Sequence, residues 1–290
     1  MSDIIYHYCS VDTFALIVTN GTIRLSDITQ SNDWSEIKWS VPIVKMAFKS
    51  LIEKVFKSKK YNSIKKSIFE IVDNYINLYF ESNYKMVLAC CFSEAKDLLS
   101  QWRGYADDGK GFSIGFSMMH LKDMLATNQN ENYELLIGKI EYDEEVQKKD
   151  ICNIVKLLEE YLLSFKNIDN FLENKKNYTE LNDKIRDIFN KIFRKSILFK
   201  NPFFEEEKEW RIALIFNNDD FAEIKIEESN ISFYKRDGSL IPYIDMKFCN
   251  KNCVVELIAG PKNKTCKITE FLAYNKYINV DLLKSKGSYR

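Results

Sequence analysis

Histidine is the scarcest reactive side chain in this sequence: His7 and His120 are the only two among 290 residues. Chemistry that needs paired acid–base histidines or a histidine-rich metal centre therefore has little to draw on. Glycine (9) and proline (4) are nearly as rare, which leaves no Pro- or Gly-rich linker to divide the chain. No apolar run approaches the roughly 18 residues of a membrane-spanning helix. Neither sign of charge prevails, with 42 basic and 42 acidic residues, so only a local patch could attract nucleic acid. The start, MSDIIYHYC, lacks the basic and apolar regions of a signal peptide. The seven cysteines are odd in number, and Cys90 and Cys91 are adjacent, which reads as reduced thiols in a cytoplasmic protein. No G-x-x-x-x-G-K-[ST] phosphate loop occurs.

What is present is a sequence of short strands with two helical stretches. Ile4 to Tyr8 reads as a strand, with Ser10 as the N-cap of a helix. In that helix Val11, Phe14, Ala15 and Val18 form one buried stripe, and Gly21 ends it. "TIRLSD", "MVLACCFSE", "FSIGF", "EWRIALIF", "AEIKIE", "ISFYK", "LIPYIDMKF" and "VVELIAG" follow as strands. Asp33 and Glu36 have the spacing of a capping box. Leu98, Trp102 and Tyr105 share one face of a short helix that "DDGKG" breaks. Helix is expected near 41–83 and 144–200, and "KITEFLAYN" is expected to close the chain. The expected fold is a single α+β domain over 1–290, with those two helical insertions.

Two acidic and basic features stand apart. Glu205, Glu207 and Glu209 lead into a strand, where alternate residues share a face, so a cation or a catalytic function is expected against them. The same run also reads as a charged edge that resists strand pairing. Lysines dominate positions 44–66 between recurring apolar residues, which reads as a solvated helix face or as a phosphate-binding arm. Cys249, Cys253 and Cys266 lack a fourth zinc ligand nearby. His7 and Cys9 share a strand face, but no third group orients them for thiol chemistry.

The start Tyr6-His7-Tyr8, the stretch "CFSEAKDLLSQWRGYADDGKGFSIGF" and the run "EKEWRI" resemble a widespread bacterial and phage family of domains of unknown function. Those parts in turn resemble the ADP-ribosyltransferase fold, whose core is a split, mixed and largely antiparallel β-sheet. "GKGFSIGF" is similar to the glycine-lysine-glycine-isoleucine-tyrosine-phenylalanine run of poly-ADP-ribose polymerases, with Ser113 where the stacking tyrosine stands. "EKEWRI" is similar to the paired-glutamate entry of mono-ADP-ribosyltransferases. The resemblance implies NAD as substrate and no metal. It makes Glu209 the catalytic carboxylate and has Glu207 orient or deprotonate the acceptor. His7 would bond the ribose or the nicotinamide amide, with Tyr8, Ser10, Arg103, Tyr105, Phe112 and Ser113 completing the NAD site. It further implies a toxin or anti-phage effector acting on a nucleic-acid or protein target, with a neutralising antitoxin partner and no membrane. The other expectation is a non-catalytic binding module that kept this fold, which the serine at 113 favours.

Overall fold

The computed structural model describes residues 3–30, 37–82, 85–129, 131–164, 175–216 and 230–287. Its centre is a sheet of ten strands: β1 (Ile4–Cys9), β2 (Thr22–Asp27), β3 (Val87–Ser93), β4 (Phe112–Ser117), β5 (Tyr133–Lys139), β6 (Glu209–Phe216), β7 (Ser232–Arg236), β8 (Ser239–Lys247), β9 (Val254–Ala259) and β10 (Asp281–Lys284). Their order is β10-β9-β4-β1-β3-β2-β8-β7, with β6 on the other edge of β3 and β5 beyond it. All strand pairs are antiparallel except β9 with β10.

The helices are α1 (Val11–Asn20), α2 (Val41–Val55), α3 (Asn62–Ile76), α4 (Leu99–Tyr105), α5 (Met118–Thr127), α6 (Glu144–Leu163), α7 (Lys175–Ser196) and α8 (Ile268–Tyr274). The α+β class and both helical stretches agree with the sequence. The Asp33–Glu36 cap and the strand expected in "AEIKIE" lie outside the described residues. Three elements were not anticipated, namely α5, β5 and β10, and it is β10 that follows the last helix.

Strand pleating gives the sheet two distinct faces. On the back face Ile5, Cys9, Phe92, Phe112, Ile114 and Trp210 join one core with residues of α1, α5 and α8. On the front face Val87, Ala213 and Ile215 pack beneath α2, α3, α6 and α7. A smaller front cluster joins Tyr6 and Tyr8 to Trp102 and Ala106 on and just after α4. Burial of so many Ile, Leu and Phe side chains on both faces makes hydrophobic burial the main stabilising term.

Local signals account for the first unit. The Ser10 side chain accepts from the Thr13 N–H, and Gly21 ends α1 with φ 63°. The turn before β4 is equally constrained. A Cβ on Gly111 would overlap the Cys9 carbonyl oxygen. The Gly111 N–H donates to Ala106 O, and its own carbonyl accepts from the Gly260 N–H.

One edge of β3 is shared between two strands. β1 meets it at Tyr6 and Ser93, and β2 meets it at Ser26–Ala89 and Asp27–Leu88. Between those contacts the sheet forks at Cys90, Cys91 and Phe92. No helix of the described residues is long and apolar enough to cross a membrane.

Candidate functional site

His7 stands at the fork. Its Nδ1 lies 2.9 Å from Cys91 O, so Nδ1 carries the proton and donates to a carbonyl that no strand pairs on that edge. Its ring lies 5.7 Å from that of Phe92. Burial lowers the His7 pKa, and the bond to Cys91 offsets this only in part, so the imidazole is held neutral.

The acidic residues sit across β3. Pro202 and the cap from Asn201 fold 202–207 into a tight 3-10 turn, and Lys208 takes φ 47°. The strand begins only at Glu209, so the expected alternation from Glu205 to Glu209 does not form. Glu205 and Glu206 point into solvent. Glu207 and Glu209 nevertheless converge on one cation, Lys200, whose Nζ is 2.6 Å from Glu207 Oε2 and 2.8 Å from Glu209 Oε2.

Glu209 is not the exposed strand-edge acid that the sequence suggests; it is 3% exposed. Arg211, two residues on along the same face, donates through Nε and Nη2 to Glu209 Oε1 at 3.0 and 2.7 Å. Arg211 also donates to Ile197 O and is fully buried. The Glu209 backbone N–H donates to the Tyr142 hydroxyl. Burial by itself raises the Glu209 pKa. Arg211 and then Lys200 outweigh it, with a hydrogen bond from Cys91 adding to them, and hold the carboxyl down at about 2.

Lys200 is positioned from elsewhere in the chain. Its N–H donates to Glu141 O, and its carbonyl accepts from the fully buried Gln147 side chain. Gln147 also donates to Glu141 O and accepts from the Trp39 indole. The sequence called for a cation or a catalytic function against the glutamates without locating either. Arg211 was legible, because residues two apart share a strand face. Lys200 was not, because α6 and the 197–201 segment deliver it.

On the solvent side of this cluster the Tyr105 hydroxyl donates to Glu207 Oε1 at 3.2 Å. Glu207 keeps 15% of its side chain exposed, against 4% for Glu209. Burial first, and Glu207 next, push the Tyr105 phenol pKa up. Cys91, opposite Arg211 in the register, is exposed although it lies in the middle of a central strand. An opening therefore reaches the sheet at the fork. Glu207, Cys91 and Glu209 all act electrostatically on Tyr105.

The remaining expected site residues divide. Arg103 is exposed on α4. Tyr8 is buried, donates to Ala95 O and accepts from the Leu98 N–H, so it fixes the segment leading into α4. Its ring lies edge-on to Trp102 at 4.8 Å. Ser113 pairs with Tyr8 in the register and is fully buried. Phe112 points to the back face and packs on Phe14 at 4.3 Å. Ser10 is occupied as a helix cap. The register puts His7 on the back face and Glu209 on the front, and Cys91 bonds to both.

Among the described residues no group of three or more His, Cys, Asp or Glu side chains is arranged to hold a metal ion. All seven cysteines are unpaired. The lysines at 45, 49, 57, 59 and 60 are exposed.

A family described as "Protein of unknown function (DUF2971)" matches residues 101–212. That span runs from Gln101 on α4 to Ile212 on β6, so it contains Tyr105, Lys200, Glu207, Glu209 and Arg211 but not β1 or β3. No curated protein and no solved structure matches the chain. What the comparisons give is therefore a likeness to the DUF2971 family over the part of the chain that carries the acidic cluster.

Proposed function

We propose that the fork is an NAD site and that the chain is an ADP-ribosyltransferase of the split-sheet type, with Glu207 as the working carboxylate. The observation that carries this is the Tyr105–Glu207 pair on the front face beside the exposed Cys91. Cleaving the bond between ribose and nicotinamide leaves positive charge on the sugar. A carboxylate held at a fixed position stabilises that charge without reorganising. Glu207 has one oxygen on Lys200 and one on Tyr105, and it is the one glutamate of the pair that solvent reaches appreciably. Lys200 pairs with it directly at 2.6 Å and fixes its position. Glu209, with both oxygens engaged, serves as the buried anchor that holds Lys200 in place. Arg103 on the exposed side of α4 is suited to an NAD phosphate.

A second reading rests on a specific observation. Two carboxylates and two cations balance in the cluster, and Glu209 has both oxygens engaged by Arg211 and Lys200. That supports a binding module that uses the same fork without turnover. Nicotinamide release separates the two. The purified chain is incubated with NAD, alone and with protein, RNA or DNA as acceptor, and free nicotinamide is measured. Release above the protein-free control supports the transferase. Saturable NAD binding with no release supports the module, and neither binding nor release removes NAD from the account. The wider role of toxin or anti-phage effector, with a neutralising partner, depends on the first outcome.

A further inference from the structure

At the other end of β6 a second site has different chemistry. A cavity of about 180 Å³ opens between α7, the end of β6 and the residue leading into β3. Lys85, Arg186, Asn190, Phe193, Arg194, Ile215 and Phe216 line it. Three of these seven side chains are cationic, and none is a carboxylate. Glu209 and Phe216 are seven residues apart on one strand, so at about 3.3 Å per residue this cavity lies roughly 23 Å from the acidic cluster.

The donors are arranged rather than scattered. Arg186, Asn190 and Arg194 fall at i, i+4 and i+8 and form one stripe along α7. The Tyr79 hydroxyl donates to Asn190 Oδ1 at 2.6 Å, which fixes the amide and leaves its NH₂ group as the part that Tyr79 does not engage. Lys85 lies over the Tyr79 ring, 5.4 Å from its centre. Arg186 and Arg194 each hold a carboxylate through one Nη2, to Asp183 at 3.0 Å and to Glu134 at 2.7 Å. A guanidinium has five N–H donors, so each arginine keeps others for the cavity. Neither Asp183 nor Glu134 lines it.

We propose that this cavity binds a phosphate group, presented by a nucleotide or by a nucleic-acid strand. Arginines arranged as planar forks suit the tetrahedral oxygens of phosphate, and charge-assisted bonds of this kind are the strong ones. The cavity has room for one phosphate and a few waters, and its polar donors do not suit an apolar ligand. This reading is independent of the one given for the fork.

The test is calorimetric titration of the full chain with inorganic phosphate, with a mononucleotide, and with a short single-stranded oligonucleotide with and without a 5′-phosphate. The titrations are repeated on the Arg186→Gln, Arg194→Gln double variant and on Asn190→Asp. Both arginines are about half exposed, so thermal unfolding of the double variant should match the wild type. The expected result is saturable binding of at least one phosphate ligand that weakens about tenfold or more in the double variant. Asn190→Asp keeps the acceptor for Tyr79 but adds a negative charge, so it should weaken the same ligand. If the oligonucleotide is the ligand, the loss of phosphate contacts should flatten the salt slope by about 0.7 per contact. Binding of phosphate and mononucleotide alone assigns the site to small phosphorylated ligands. No saturable binding of any of the four, or equal affinity in all variants, overturns the proposal.

Discussion

The imidazole of His7 and the carbonyl of Cys91 make the hydrogen bond that closes the sheet at its fork, at 2.9 Å. β1 and β2 leave β3 on either side of that point, so the bond replaces a missing ladder contact. His7→Ala removes that bond beside the exposed Cys91, where water can reach the carbonyl, so a loss of about 0.5–1.5 kcal/mol is expected. Urea unfolding at neutral pH measures it, and His7→Gln, which restores a donor, should recover part of the loss.

The same residue makes stability depend on pH. Burial lowers the folded pKa of His7 below its ordinary 6.5, so the unfolded chain binds the proton more readily. The contribution of neutral His7 is fully present above pH 6.5. It falls as the pH drops below 6.5 toward the folded pKa. Unfolding midpoints at pH 7.5 and 5.5 should differ in the wild type, and the difference should shrink in His7→Gln.

Glu209 is the structural centre of the acidic cluster. Glu209→Gln leaves Arg211 and Lys200 buried beside a neutral amide. Breaking a buried pair in this way costs about 3–5 kcal/mol. The carboxyl titrates near 2 in the folded state against 4.5 in its absence, so its contribution is present above pH 4.5 and is lost as the pH falls toward 2. Denaturant melts of Glu209→Gln against wild type at pH 7 measure the loss. An unchanged midpoint would mean that the ion pairs hold nothing in place.

Gly111 tests the turn before β4. A methyl group there meets the Cys9 carbonyl, which is backbone and cannot rotate away. Gly111→Ala should cost about 1–3 kcal/mol, as overpacking does. Gly104, with open space around it, is the control, and Gly104→Ala should be neutral or mildly stabilising within its helix.

The first unit of the fold was legible because its signals are local. Ser10 caps α1, Gly21 ends it, and the apolar spacing between them is helical. β10 was not legible, since four residues pairing in parallel with β9 depend on a contact made far away. α5 follows β4 with no Gly or Pro between them, so no breaker marks its start. At the candidate site the need for a cation or a catalytic function beside the glutamates could be read, and Arg211 could be placed by strand periodicity. Lys200, Gln147 and Tyr142 come together only through tertiary packing. The strand alternation read into Glu205–Glu209 failed because Pro202 and Asn201 form a turn first.

The most direct measurement is nicotinamide release from NAD by Glu207→Gln, compared with wild type at equal folded concentration. Glu207 is partly exposed at the rim, so the variant should remain folded. The account predicts wild-type release that drops about 10²- to 10³-fold in Glu207→Gln, with NAD affinity far less affected. Release by Glu207→Gln at the wild-type rate would contradict the assignment of Glu207, and absence of release from the wild type would contradict the transferase itself.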